Sequence, residues 1–201
     1  MRGVFRKMKI KVAITGKSGL GGKIADYLSN FGHYEITQFS SADFSIEYAD
    51  AVVDKIKDHD VFINLAHLRF KQTELLMGVF EHWKNDPHKL IINFSSRAKY
   101  DNISKGYMYA AQKASLNHLA NNLTFNSDKQ CRMCTLNLGL LEHKDLESLS
   151  HDWVVQFIMY IIDLPDWIEM PEVTIQHSAN YTEIQTAKEA LRELQKYGNK
   201  E

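Results

Sequence analysis

Cysteine and proline are what this chain has least of, with two Cys and three Pro in 201 residues. Two cysteines cannot staple a small secreted scaffold, and a reduced, cytoplasmic protein is the natural expectation. They sit together as Cys131-Arg132-Met133-Cys134, inside an apolar, strand-like run, CRMCTLNLG. No second such pair exists and no His follows at finger spacing, so no metal site is expected. In a strand, residues three apart point to opposite faces, which suits neither a redox pair nor a zinc pair. The prolines all lie after residue 86, which leaves no Pro-rich linker. Long hydrophobic runs are missing too, since none approaches the roughly 20 residues that cross a bilayer. The basic start, MRGVFRKMKIKVAIT, lacks the apolar stretch and small-residue cleavage site of a signal peptide. Met8 is a second candidate start, so residues 1–8 read as a loose leader. Charge of one sign is not in excess either, and a formal net charge of -1 argues against a broad nucleic-acid-binding face.

What is present alternates. At 44% apolar and 24% charged residues, the chain reads as one globular domain over 1–201. Short apolar runs occur at Ile10–Thr15, Tyr34–Phe39, Asp60–Ala66, Lys89–Ser95, Cys131–Leu138 and Glu172–His177. Between them, Lys23–Phe31, Ile46–Asp58, Thr73–Trp83, Tyr107–Leu123 and Asp152–Leu164 carry apolar residues at helical spacing. Ser45 and Ser150 are candidate N-caps. Strands alternating with helices imply parallel strands joined by right-handed crossovers, hence an α/β fold with one doubly wound sheet and helices on both faces. The nearly continuous apolar runs fit strands covered on both sides. Tyr181–Tyr197 predicts a C-terminal helix striped by Ile184, Ala187, Leu191 and Leu194, packed on its own domain or facing a partner.

The first strand runs into Thr15-Gly16-Lys17-Ser18-Gly19-Leu20-Gly21-Gly22 and then a helix. A dinucleotide pyrophosphate needs such a junction. Glycines allow a tight turn and close approach, and a helix N-terminus offers free N–H groups and the positive end of its dipole. Gly16, Gly19 and Gly22 give G-x-x-G-x-x-G spacing, and Lys17, Ser18 and Leu20 complete the loop. No Gly-Lys-Ser/Thr closes it, so it is not a P-loop. Further along, Tyr109 precedes Lys113 by one helical turn. Taken alone that is an ordinary surface pair.

Together these stretches resemble the short-chain dehydrogenase/reductase superfamily over roughly residues 9–177. The TGxxGxxG loop looks like its extended and atypical branches. Asn64-Leu65-Ala66-His67 resembles the family's turn along the cofactor. Asn93-Phe94-Ser95-Ser96 ends a strand, and Ser96 precedes Tyr109 by thirteen residues, the family's usual spacing between its catalytic Ser and Tyr. The resemblance implies a single Rossmann-type domain and a homodimer or homotetramer. It also implies catalytic roles for Ser96, Tyr109 and Lys113, with Ser95 as the runner-up for Ser96 and Tyr107 as a candidate substrate contact. Tyr109 would exchange a proton with a carbonyl or alcohol oxygen, and Ser96 would hold that oxygen. Lys113 would lower the Tyr109 pKa and hold the nicotinamide ribose, so Tyr109 and Lys113 also count as cofactor contacts.

Departures are as informative. No Asn sits where the family often has one between Ala66 and Trp83. His67 stands in place of the usual Gly, either narrowing the site or serving as a polar loop residue. Leu138-Gly139 keeps the Gly of the family's Pro-Gly turn, so Gly139 stays a cofactor-binding candidate, and it loses the rigid proline. The chain between the second strand and Asp60 is short, and Asp43-Phe44 would lie beside the adenine, as in similarly contracted members. The second strand ends Gln38-Phe39-Ser40-Ser41 with no carboxylate before Asp43. Ser40 and Ser41, with Lys17 either solvated or reaching a 2′-phosphate, make NADP the preferred cofactor and NAD the alternative.

The expected activity is therefore NAD(P)-dependent oxidation or reduction of a small alcohol or carbonyl. Two other readings stay open: a dinucleotide-binding sensor without turnover, and a sugar-nucleotide epimerase or dehydratase. The segment Ser150–Leu164 is expected either to wall the substrate side, with a share in a subunit interface, or to be an internal core helix. No membrane association is expected.

Overall fold

The computed structural model describes residues 9–42, 45–100, 106–179 and the four positions 186, 189, 190 and 193. The leader at residues 1–8, the Asp43-Phe44 pair and the stripe of the C-terminal helix lie outside the described residues.

Six strands form one parallel sheet in the order β2-β1-β3-β4-β5-β6: β1 (Ile10–Thr15), β2 (Tyr34–Phe39), β3 (Val61–Asn64), β4 (Leu90–Ser96), β5 (Arg132–Leu138) and β6 (Glu172–Ile175). The helices between them are α1 (Gly19–Ser29), α2 (Ala49–Ile56), α3 (Lys71–Trp83), α4 (Tyr107–Thr124) and α5 (His151–Ile162). The predicted Ile46–Asp58 helix begins as a 3₁₀ turn, Ile46–Tyr48, capped where Ser45 Oγ accepts from Glu47 N at 3.2 Å. Ser150 caps α5 by accepting from Trp153 N.

The period of two along each strand sorts the core into two layers. Val12, Ile14, Ile63, Ile92, Cys134 and Leu136 meet α1 and α5 on one face. Ala13, Phe62, Ile91 and Met133 meet α2, α3 and α4 on the other. Trp83 is fully buried there, edge-on to Phe62, with its indole N–H donating to Lys57 O at 3.1 Å. Burial of each such side chain contributes roughly 1.5–3 kcal/mol. On the first face, α5 turns Val154, Val155, Ile158, Ile161 and Ile162 into the core. That face is the packing a core helix requires, while Trp153 and Tyr160 stay exposed on the other. Both cysteines are free and buried, one in each layer. Burial pushes the Cys131 thiol up to about 11 and the Cys134 thiol up to about 12.

The chain leaves β1 toward β2, then returns to place β3 on the other side of β1 and continues outward. The crevice above β1 and β3 is the point where the winding reverses. Ligands of such sheets sit there, beyond the carboxyl ends of the strands. The loops that follow β1 and β3 are the two flanks of that crevice.

Candidate functional site

On the β1 flank, the glycine loop is shaped by backbone demands. Gly16 and Gly19 have φ of 111° and 53°, in the region that suits glycine. Gly21 is needed for space instead. A Cβ there would lie 2.6 Å from Gly16 O and 3.1 Å from Leu65 Cδ2, and at Gly22 it would lie 2.9 Å from Lys17 O. The motif spacing therefore omits one of the constrained glycines, Gly21. Gly21→Ala is expected to cost about 1–3 kcal/mol, since a backbone carbonyl must move. Urea unfolding would check this, and an unchanged midpoint would contradict the close approach. Ser18 is the N-cap of α1, makes no side-chain capping bond, and no acidic residue lies in the first turn. The helix end can therefore receive an anion. Leu20 packs into the core just inside that end, and Lys17 is exposed on the loop.

Two side chains brace this flank. Gln38 donates to both Gly16 O and Gly21 O at 3.2 Å. Thr15 Oγ1 accepts from Leu65 N at 2.9 Å and Ala66 N at 3.0 Å, tying the turn after β3 to the glycine loop. Gly16 N donates to Phe39 O at 2.7 Å, which sets Ser40 and Ser41 beside the loop at the end of β2.

The second group lies where β4 ends against α4. The inward face of α4 carries Lys113, Leu116, Asn117, Ala120 and Leu123. Ser96, the last residue of β4, accepts from Ala98 N at 3.1 Å, and its hydroxyl lies beside the Tyr109 phenol, where it favours the phenolate. Ser95 points the other way, buried, with its hydroxyl on Asn117. Of the two serines, Ser96 is the one that meets Tyr109. Tyr107 is exposed at the start of α4. His67 lies edge-on to the Tyr109 ring with centroids 5.0 Å apart. Burial, then the Lys113 charge, hold its imidazole below its ordinary pKa. His67 is therefore part of the site wall.

Lys113 is 4% exposed and donates from Nζ to Gln72 Oε1 and Phe94 O, both at 2.8 Å. Burial pulls its pKa down to about 8. Nζ lies 5.7 Å from the Tyr109 ring centroid. The lowered Tyr109 pKa expected from this Lys is not observed. Burial raises the phenol above its ordinary value, and the Ser96 hydroxyl offsets only part of that. The reason is geometric, because the ammonium points inward to two acceptors.

A chain of buried amides supports the pair from below. In one orientation Asn117 Nδ2 donates to Asn137 Oδ1 at 2.8 Å. In the other, which satisfies both ends of the amide, it donates to Ser95 and to Lys113 O at 3.1 Å and accepts from Lys99 Nζ at 2.8 Å. Asn137 donates to Glu172 at 2.8 Å, and Glu172 pairs with Lys99. Burial pushes the Glu172 carboxyl up, but Lys99 and the neighbouring amides more than offset it, leaving it below its ordinary value. Gly139 follows β5 and lies against β6, where a Cβ would come 2.8 Å from that of Gln176. Its role there is close strand packing. An open groove of about 540 Å³ beside Ser96 is lined by Arg97, Tyr100, Thr174 and Gln176. The following segment is folded back by Leu149 N on Leu140 O at 2.8 Å, and Glu142 clasps it to Lys23 of α1 at 2.8 Å.

Compared with family models and with curated proteins, the chain matches none. Among solved structures, it is similar to serine dehydrogenase from Escherichia coli, with a TM-score of 0.68 and 15% identity over 85% of this chain and 99% of that one. An alcohol dehydrogenase from Thermococcus sibiricus, solved with 5-hydroxy-NADP, gives 0.66 and 17% over 86% and 98%. A GDP-L-fucose synthetase from Naegleria fowleri gives 0.69 and 14% over 86% and 73%. No helix among the described residues is long and apolar enough to cross a membrane. With its parallel six-stranded sheet, its winding reversal between β1 and β3 and these likenesses, the chain has the α/β fold of the short-chain dehydrogenases.

Proposed function

We propose that the chain is an NAD(P)-dependent oxidoreductase of the short-chain dehydrogenase type, acting on a small carbonyl or alcohol. The observation that carries this reading is Ser96 beside the Tyr109 phenol at the carboxyl end of the sheet, one helical turn from Lys113. The β1 flank fits a dinucleotide: its helix end is uncapped by side chains, and Gly21 leaves room only for a backbone. Gly16, Lys17, Ser18, Gly19, Leu20 and Gly22 would hold the pyrophosphate. Leu65 and Ala66 would line the cofactor, and Lys113 would reach the ribose. When bound, the nicotinamide supplies or accepts the hydride. Ser96 would hold the substrate oxygen, and Tyr109, whose phenol stays protonated at neutral pH, would give that oxygen its proton. With Lys17, Ser40 and Ser41 near the ribose, NADP is favoured over NAD. The neighbours titled as dehydrogenases, one of them with 5-hydroxy-NADP, support the same reading. An assembly of two or four copies belongs to it as well.

One observation favours a second reading, a dinucleotide-binding protein without turnover. Lys113 is engaged by Gln72 and Phe94, and the Tyr109 phenol lies above its ordinary pKa. Titration with NADPH and NADH, followed by nicotinamide fluorescence in wild type and Lys113→Ala, tests the shared premise. Saturable NADPH binding, tighter than NADH and about tenfold weaker in the variant, is expected from loss of a charged hydrogen bond. Failure of both cofactors to bind would overturn both readings. A carbonyl screen for NADPH oxidation then separates the enzyme from the sensor.

A further inference from the structure

Gln72 is the second residue of α3, and its side chain is 2% exposed. Its carboxamide makes three bonds to three different parts of the fold. Nε2 donates to Asn64 O at 2.7 Å, the last residue of β3, and to Phe94 O at 2.9 Å, near the end of β4. Oε1 accepts from Lys113 Nζ of α4 at 2.8 Å. Phe94 O thus receives both Gln72 and Lys113, which closes a ring of contacts around one carbonyl. Asn64 Nδ2 returns the bond by donating to Gln72 O at 3.1 Å and reaches Asn93 Oδ1 at 3.0 Å. A carboxamide with both donor protons and its oxygen engaged has one orientation, and that orientation fixes where an ammonium can sit.

Among the described residues, the titratable groups beside Lys113 are Tyr109 on its own helix and His67 on the turn after β3. Neither is an anion at neutral pH, since burial raises the phenol and lowers the imidazole. Among the described residues, the ammonium is therefore held by two neutral acceptors, Gln72 Oε1 and Phe94 O. A salt-bridge partner would anchor it far more tightly. Two neutral acceptors keep it in place and leave it exchangeable, so it can swap Gln72 Oε1 for another oxygen without abandoning a charge partner.

We propose that Gln72 is the positioning residue for Lys113: one carboxamide joins the ends of β3 and β4 and holds the Lys113 ammonium within a turn of Tyr109, ready to transfer to a ribose hydroxyl. The transfer to ribose rests on the dehydrogenase reading above; the setting of Lys113 by Gln72 does not.

The first test uses the wild-type protein without cofactor. The side-chain amide of Gln72, followed by ¹⁵N NMR from pH 6 to 10, is expected to titrate with a midpoint near that of Lys113, about 8. An amide signal flat across that range would overturn the proposal. The second test compares Gln72→Met, Lys113→Met and the double variant by NADPH fluorescence titration. Gln72→Met is expected to weaken binding roughly tenfold, the scale of one hydrogen bond to a charged group. The double variant is expected to bind no more weakly than Lys113→Met alone, because the two residues act as a unit. Additive losses would overturn the proposal. If Gln72→Met does not fold, the wild-type NMR titration decides. If the wild type binds neither nicotinamide cofactor, the dehydrogenase reading and the ribose transfer fall, and the same titration still settles whether Gln72 sets Lys113.

Discussion

Tyr109→Phe is expected to lower turnover by roughly 10²–10⁴-fold, the usual contribution of a positioned acid–base group. It should leave NADPH affinity within about twofold, because the ring and its edge contact with His67 survive. The substitution removes one oxygen, the one beside Ser96. Tyr109 as a residue is 38% exposed, so its ring is not sealed into the core. The direction of the phenol shift adds a pH signature. With its pKa raised by burial, Tyr109 is protonated throughout the neutral range and ready to donate. Carbonyl reduction should therefore not fall through loss of the phenol proton anywhere in the neutral range. Alcohol oxidation needs the phenolate and should keep rising toward and beyond pH 10. NADPH oxidation at 340 nm against any carbonyl found by screening provides the assay. A variant retaining more than a third of wild-type turnover would remove Tyr109 from the chemistry.

Asn117→Leu is expected to cost about 3–5 kcal/mol of stability, among the largest effects a single substitution has. The two side chains are similar in size, so the loss is not a cavity. Asn117 is 4% exposed, and its amide serves Ser95 on β4 and Asn137 on β5. Leucine would leave both without that partner in a layer water does not reach, and each stranded group costs about 1–3 kcal/mol. Ser95 and Asn137 are neighbours in the β4–β5 register, so one amide holds two strand ends together. The loss would fall beside Ser96, which makes activity decline at temperatures where the wild type is still folded. Urea unfolding at 25 °C measures the cost. A loss below 1 kcal/mol would mean that the polar chain is interchangeable with apolar packing.

The strands and helices were legible because period and burial coincide along them. Each of the six apolar runs matches a strand to within two residues at either end, and the glycine loop lies at the expected junction. Ser96 and Tyr109 could be paired from sequence because a family resemblance supplied their spacing. What stayed hidden depends on partners far apart in the chain. Gln72 meets Lys113 across 41 residues, and Thr15 meets Leu65 across 50. No local pattern marks a glutamine on the first turn of a helix as the holder of a lysine two elements later. Gly21 was missed for a related reason: its constraint comes from Gly16 O and Leu65, not from its own backbone angle. The Tyr109 phenol was expected to shift down because sequence spacing gives the distance of a Lys along a helix but not where its ammonium turns. Sequence leaves His67 between two roles, and its ring against Tyr109 decides between them.

The two cysteines have a practical consequence. Each is sealed within a different layer of the core, with its thiol pushed to about 11 and about 12. Reagents such as maleimides attack the thiolate, and almost none exists there at neutral pH. The native chain is thus a blank background for site-directed labelling. One cysteine placed at exposed Trp153, on the first turn of α5, would be the reactive thiol of the folded protein. A fluorophore there could follow motion around the crevice with the native sequence otherwise intact.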